Sequence, residues 1–178
     1  GGILTTQEGK LTSIRGYYLP DSRNMLFKKE VLLTHPDYNL KADSLKYNID
    51  TKVMYFVGPT IIISKETSQI YCEDGWYDSE KDVGLFIKNV LVNNAPQTLS
   101  ADTLYYDKKK GLGKARNHVT WEDSVKNFII KSNYLDYSEK EDYLLATHKA
   151  LLINIVDKDS LYLRADTLKS LKTDTAAD

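Results

Sequence analysis

Three histidines, one cysteine and a recurring acidic position are the side chains with which this 178-residue chain could do chemistry. A metal site needs ligands at spacings that bring three or four of them to one point. His35, His118 and His148 have no such spacing among themselves or with Cys72, so they read as surface or turn histidines. A Cys or Ser nucleophile needs a base beside it, and no histidine pattern supplies one. Cys72 falls in a column of small residues, where a buried and inert thiol is expected. Alone, it forms no intrachain disulfide. The acidic position recurs as Asp43, Glu73, Asp102, Asn133 and Asp166. It could bind cations along a stack of repeats, or hold a corner of the chain by bonding nearby backbone N–H groups. The run Lys108-Lys109-Lys110 reads as a solvated turn, or as a contact for phosphates at the rim of a groove. No catalytic residue, metal ligand or cofactor is expected.

The elements that carry these residues are repeats. Leu-Lys-Ala-Asp-Ser-Leu-Lys-Tyr at 40–47 returns as Leu-Ser-Ala-Asp-Thr-Leu-Tyr-Tyr at 99–106. It returns again as Ile-Lys-Ser-Asn-Tyr-Leu-Asp-Tyr at 130–137 and as Leu-Arg-Ala-Asp-Thr-Leu-Lys-Ser at 163–170. Weaker copies lie at 70–77 and 11–18, and the step stays near thirty residues throughout. The first column is aliphatic: Leu11, Leu40, Ile70, Leu99, Ile130, Leu163. A small column follows: Ser13, Ala42, Cys72, Ala101, Ser132, Ala165. The last is aromatic: Tyr18, Tyr47, Tyr77, Tyr106, Tyr137, broken by Ser170.

The stretches between copies are patterned too. Nine residues past the Tyr column stand Phe27, Phe56, Phe86, Ala115 and Ala146; thirteen past it stand Val31, Thr60, Val90, Val119 and Ala150. Fifteen past it stand Leu33, Ile62, Val92, Trp121 and Leu152. These offsets share one parity, hence one face of a strand. Polar turn signals separate the segments at Pro20-Asp21-Ser22, Asn48 to Asp50, Asp78 to Asp82, Asp107 to Gly111 and Ser138 to Asp142. Apolar residues alternate over a few positions and then meet a turn, which excludes a helical solenoid; only Leu168 to Leu171 could add a short helical turn. Each unit is therefore two strands. Within the anchor, Leu40 and Ala42 share one parity while Leu45 and Tyr47 share the other, so a bulge or corner is expected at Asp43-Ser44.

Stacked units turn each column into a ladder, and burying each Leu, Ile or Phe contributes about 1.5–3 kcal/mol. Two facing sheets enclose an apolar space that is either a packed core or an open trough. The change from Phe56 and Phe86 to Ala115 and Ala146 predicts widening toward the C-terminal end. Twenty-four basic against 25 acidic residues leave a net charge of -1, with no basic stripe for nucleic acid. Thirteen Tyr and only four Pro suit pleated, half-buried surfaces. No apolar run approaches the ~18 residues of a membrane-spanning helix. With Gly1-Gly2 at its start and a polar tail over 171–178, the chain reads as an excised or processed piece with its signal peptide missing.

The recurring Ala-Asp-x-Leu-x-Tyr, followed by a turn and an apolar strand, resembles the OstA-like family of LptA and organic-solvent-tolerance repeat domains. Residues 42–47, 101–107 and 165–168 carry it best, and it covers about residues 3–170 as one domain. The family's Gly-Asn-Val reads here as Gly58-Pro59-Thr60, Lys88-Asn89-Val90 and Asn117-His118-Val119, and Gly16 and Gly75 replace a column's Leu. The resemblance implies an all-β fold, a half-open antiparallel β-jellyroll or β-taco. It implies a periplasmic, non-enzymatic protein that shields the lipid A acyl chains of lipopolysaccharide between its sheets. Proteins of the same fold, or further copies of this chain, are the implied partners, joined end to end by strand addition. The groove lining would be Val31, Val90 and Val119; Leu33, Ile62, Val92, Trp121 and Leu152; Leu40, Ile70, Leu99, Ile130 and Leu163; and Phe56 and Phe86. The competing expectation is a structural interaction module with a filled core and no lipid. A third, a parallel β-helix acting on polysaccharide, would need a clustered acidic or histidine site, which the sequence lacks.

Overall fold

The computed structural model describes residues 1–6, 9–65, 68–156 and 159–171, so residues 172–178 of the expected tail lie outside the described part. Alternating apolar residues and Asx-type turns give thirteen antiparallel strands in one open sheet, with no helix among the described residues. Short strands β1 (Gly2–Thr6), β2 (Gly9–Ser13) and β3 (Arg15–Leu19) open the chain. Long strands follow: β4 (Asn24–Thr34), β5 (Tyr38–Asn48), β6 (Val53–Ser64), β7 (Gln69–Asp78) and β8 (Val83–Asn94). The rest are β9 (Gln97–Asp107), β10 (Leu112–Asp123), β11 (Phe128–Ser138), β12 (Tyr143–Val156) and β13 (Asp159–Leu171). Each long strand pairs with its sequence neighbours as a meander. Strands β2 and β3 share the edge of β4, Leu11 opposite Leu33 and Tyr18 opposite Met25. The segment Leu168 to Leu171 continues β13 rather than turning into a helix.

A bulge folds every even-numbered long strand. The register slips between Lys28 and Val31, Val57 and Thr60, Ile87 and Val90, Arg116 and Val119, and Thr147 and Ala150. At each slip two residues oppose one, and the one is the acidic column: Asp43, Glu73, Asp102, Asn133 or Asp166. In four bulges both extra residues are left-handed: Lys29 (φ 64) with Glu30 (φ 53), Lys88 with Asn89, Asn117 with His118, and His148 with Lys149. In β6 the pair is Gly58 (φ 81) and Pro59. Such a φ costs a non-glycine residue roughly 1–2 kcal/mol. The corner expected at Asp43-Ser44 is thus made by the facing strand. The acidic column does not cap backbone N–H groups there: Glu73 accepts from the Asn89 side chain at 2.8 Å, Asp102 meets His118 Nδ1 at 2.9 Å, and Asp43 accepts from Ser44 Oγ at 3.0 Å. Where the bulge carries a polar side chain, as at Asn89 and His118, the facing carboxylate bonds that side chain.

The corners divide the sheet into two walls. The first holds the halves of the long strands beside Tyr47, Tyr77, Tyr106 and Tyr137; the second holds the halves beside Leu40, Ile70, Leu99 and Ile130. One row crosses the first wall as Phe27, Leu45, Phe56, Gly75, Phe86, Leu104, Ala115, Leu135 and Ala146, each directly opposite the next. The matching row of the second wall runs Leu33, Leu40, Ile62, Ile70, Val92, Leu99, Trp121, Ile130, Leu152 and Leu163. Both rows face inward, and a continuous apolar core runs from Leu11 to Tyr137 with a smaller cluster around Ile130, Ala146 and Ala150.

The turns at the outer margin of the first wall stack as the strands do. Ile49 N–H donates to Arg23 O, Lys108 N–H to Asp82 O at 2.9 Å and Glu139 N–H to Gly111 O at 2.8 Å. The residue after each Tyr closes its own turn: Asn48 accepts from the N–H of Thr51 at 2.9 Å, Asp78 from Lys81 at 3.0 Å and Asp107 from Lys110 at 3.0 Å. Asp123 does the same on the second wall, from Lys126 N–H at 2.8 Å. Burial pushes the Asp78 carboxyl up, but the N–H groups of Lys81 and Glu80 and the Lys81 ammonium outweigh it and hold it below the usual range. Asp123 is held down by the Lys126 N–H against its burial, with help from Gln97 and the Val125 N–H.

Two outcomes follow. A depressed carboxyl stabilises the fold above its unfolded pKa of about 3.9, and loses that contribution as the pH falls toward the folded value. Urea midpoints should place Asp78→Ala about 1–3 kcal/mol below the parent at pH 7, with the gap narrowing below pH 4. Lys29→Gly, which removes a left-handed Cβ at an exposed corner, should raise stability by up to about 1 kcal/mol in the same titration.

Candidate functional site: an apolar groove between the two walls

The two walls approach each other at the corners and part toward their turn-bearing margins. At the corners Val31, Val90 and Val119 are almost wholly buried, packed with the small column of Ala42, Cys72 and Ala101. Burial pushes the Cys72 thiol up to about 12 and keeps it protonated. Farther out, a cavity of about 330 Å³ separates the walls, within the roughly 300–1,000 Å³ of small-molecule sites. Leu40, Ile62, Ile70 and Val92 line it from the second wall, and Met54, Phe56, Phe86 and Leu104 from the first. Leu40, Ile62, Ile70 and Val92 are consecutive members of their row, so the apolar surface of the second wall is unbroken from strand to strand.

The cavity owes its place to two aromatic contacts across the groove and one missing side chain. On the N-terminal side Tyr38 meets Tyr77 edge to face at 6.3 Å between ring centroids. On the C-terminal side Trp121 meets Tyr137 at 5.1 Å. Between them Gly75 stands where the equivalent place in four other repeats carries Leu45, Leu104, Leu135 or Leu168, directly opposite both Phe56 and Phe86. The two rings lean over the gap and stack nearly parallel, 7° apart with centroids at 6.1 Å. Gly75 has φ 139, and a Cβ there would lie 2.2 Å from the Leu85 carbonyl oxygen. A smaller cavity of about 40 Å³ continues the groove past Tyr38, lined by Leu4, Leu11, Leu33 and Tyr47.

The widening expected at Ala115 and Ala146 is not there. Tyr137, only 8% exposed, lies flat over Gly113, where a Cβ would be 2.1 Å from the ring, and Trp121 covers it from the opposite wall. The volume that Ala115 releases is taken up by rings from neighbouring rows, and the open space sits over Phe56 and Phe86 instead. Of the residues expected to line a groove, Leu40, Phe56, Ile62, Ile70, Phe86 and Val92 line the cavity. Leu33 lies in the smaller cavity, and Val31, Val90, Leu99 and Val119 belong to the buried core. Trp121 forms the C-terminal bridge, Ile130 and Leu152 pack in the second cluster, and Leu163 on the last strand is 49% exposed.

The mouth is polar. Asp37, Ser64, Ser68 and Asn94 edge it from the second wall, with Ser68 Oγ donating to Asn94 at 3.0 Å, and Lys108 and Glu139 from the first. Tyr77 OH donates to Asp82 at 2.8 Å, and Tyr106 OH to Glu139 at 3.4 Å. Burial with the Asp82 carboxylate holds the Tyr77 phenol well above its usual pKa, and burial with Glu139 pushes Tyr106 up to about 12. Burial likewise raises Glu139, partly offset by the Tyr106 hydroxyl. The phenols therefore stay neutral donors with apolar rings turned into the groove. Of the lysine run, Lys109 donates to Glu80 O at 2.7 Å and Lys110 pairs with Asp107 at 3.5 Å, while Lys108 reaches the mouth. His35 stacks on Tyr38, and His148 Nδ1 lies 2.9 Å from Thr147 Oγ1. The phenyl stack over Gly75 and the two aromatic bridges were not foreseen; the departure of Gly75 from its column was the one signal for the first.

An antiparallel meander folded along a line of bulges, with an apolar groove between its halves, defines the half-open β-jellyroll class. Among solved structures the chain is similar to LptH of Pseudomonas aeruginosa, described as the LptA-homologous periplasmic component of a lipopolysaccharide transport device. The TM-score is 0.57 at 15% identity, over 62% of this chain and 83% of that one. No family model and no curated protein matches the sequence.

Gly75→Ala should cost about 1–3 kcal/mol or more, because the methyl meets a backbone oxygen in a conformation that side chains avoid. Urea unfolding measures the loss, and near-ultraviolet circular dichroism should report the separation of Phe56 from Phe86.

Proposed function

We propose that this chain is a non-enzymatic, lipid-binding protein of the periplasm that shields acyl chains of lipopolysaccharide in its groove during transport to the outer membrane. The observation that carries the reading is the unbroken apolar row over the cavity, from Leu40 through Ile62 and Ile70 to Val92, under a polar mouth. Acyl chains need a lining continuous in one direction, and their polar heads need hydroxyls and charges at its edge. Tyr77, Tyr106, Lys108 and Glu139 stand at that edge. The likeness in fold to LptH supports the same reading and its cellular address.

Partners of the same fold, or further copies of the chain, join through the free edges of the sheet. Among the described residues, strand β13 is unpaired on one side, and the β1 and β3 end exposes Ile3, Tyr17 and Leu19. An unpaired strand edge is a template for strand addition. The packing of Trp121 on Tyr137 favours a second reading for the C-terminal half alone, that of a filled structural module.

A photoreactive residue at Ile70 or Phe56 should crosslink to lipopolysaccharide in cells, while one at Leu91 on the outer face should not. Equal labelling from all three positions, or none from the groove, would sink the carrier reading and leave the filled module.

A further inference from the structure

The outward face of the first wall carries an aromatic and basic band that the groove does not use. Tyr55, Trp76, Leu85 and Tyr105 stand directly opposite one another on successive strands. Their row enters from Tyr17 and Leu26 through Lys46, opposite Tyr55, and continues to Lys114, opposite Tyr105. Toward the corners the next row adds Val57, 56% exposed, and Ile87. Lys28, Arg116 and Lys169 share this face, against Asp74 and Asp136, while Asp78 and Asp107 at its turn margin are buried and paired with Lys81 and Lys110. The basic groups are laid on the rings: Lys46 Nζ is 4.1 Å from the centre of Tyr55, Arg116 lies 5.7 Å from Tyr134 and Lys169 5.7 Å from Tyr143. The chain as a whole carries a net charge of -1, so this basic excess is local. The acidic residues gather instead in the turns and at the corners.

We infer that this face docks on an anionic lipid surface. Charge complementarity selects that occupant. Lys and Arg near a negatively charged leaflet gain attraction from it, and Trp and Tyr side chains settle at the depth of the headgroups, with apolar rings below and polar atoms above. Long basic side chains lying along aromatic rings can lift their charges to the phosphates while the rings go down. A wall of one pleated sheet presents the band to a flat surface, and the groove on its other side stays open.

The two tryptophans separate docking from lipid uptake. Trp76 lies on the outer band and Trp121 in the groove. In the Trp121→Phe chain, vesicles of brominated phosphatidylglycerol and phosphatidylcholine should quench Trp76, and brominated phosphatidylcholine alone should not. The triple change Lys46→Glu, Lys114→Glu, Arg116→Glu should raise the lipid concentration for half-quenching at least about tenfold, with the far-ultraviolet spectrum unchanged. Trp76 unquenched, quenched equally without phosphatidylglycerol, or indifferent to the charge reversal would overturn the inference. In the Trp76→Phe chain, quenching of Trp121 reports entry into the groove. Quenching of Trp121 with none of Trp76 overturns docking while supporting carriage; quenching of Trp76 alone supports docking by itself.

Discussion

The fold rests on a backbone constraint repeated in every second long strand: two residues of the strand must oppose one of its neighbour, and in four of the five bulges both adopt left-handed φ. Without that slip, a thirteen-stranded meander would be a twisted open sheet with one face to solvent and no shielded interior. With it, each strand bends at the same height, and the open sheet folds over into two facing walls. The local cost, roughly 1–2 kcal/mol for each left-handed Cβ, is offset by the apolar rows that the bend brings face to face. Each bulge by itself is unfavourable; stacked, they share one corner and one core.

The rows translate that corner into a binding surface. Residues at equivalent places in successive repeats lie in one row, two strands apart, because the turns stack in step, each donating a backbone N–H to an earlier one. A groove built this way is uniform along its length unless a column changes size. It changes at Gly75 and at Gly113, with opposite results. At Gly75 the neighbouring phenyl rings lean together and leave space above them; at Gly113 a tyrosine ring lies down and fills it.

Much of this was legible in the sequence. The columns fixed on Leu40, Ala42, Leu45 and Tyr47 are rows in the structure, and the switch of parity at Asp43-Ser44 is a true change of wall. The turns stand where Asn48, Asp78, Asp107 and Ser138 signalled them. What was hidden depends on atoms outside the repeat. Lys29-Glu30, Gly58-Pro59, Lys88-Asn89, Asn117-His118 and His148-Lys149 have no residue type common to all five, because the corner demands a backbone conformation and not a side chain, so the Gly-Asn-Val slots that fall on three of them did not mark it as a bulge. The position of the cavity was hidden for a different reason. Ala115 and Ala146 release volume, but the side chains that reclaim it come from rows that the column alignment treats as separate. Size within one column does not predict space when flexible aromatic neighbours can reorient.

The contacts of Tyr38 with Tyr77 and of Trp121 with Tyr137 join the walls at two points along an otherwise continuous channel. A guest longer than the interval between them can advance only by parting a pair of rings, and each pair re-forms behind it. Movement along such a channel is a series of discrete halts rather than a glide. The pair of rings that is harder to separate sets the rate of passage, and the free-energy difference between the two ends sets its direction.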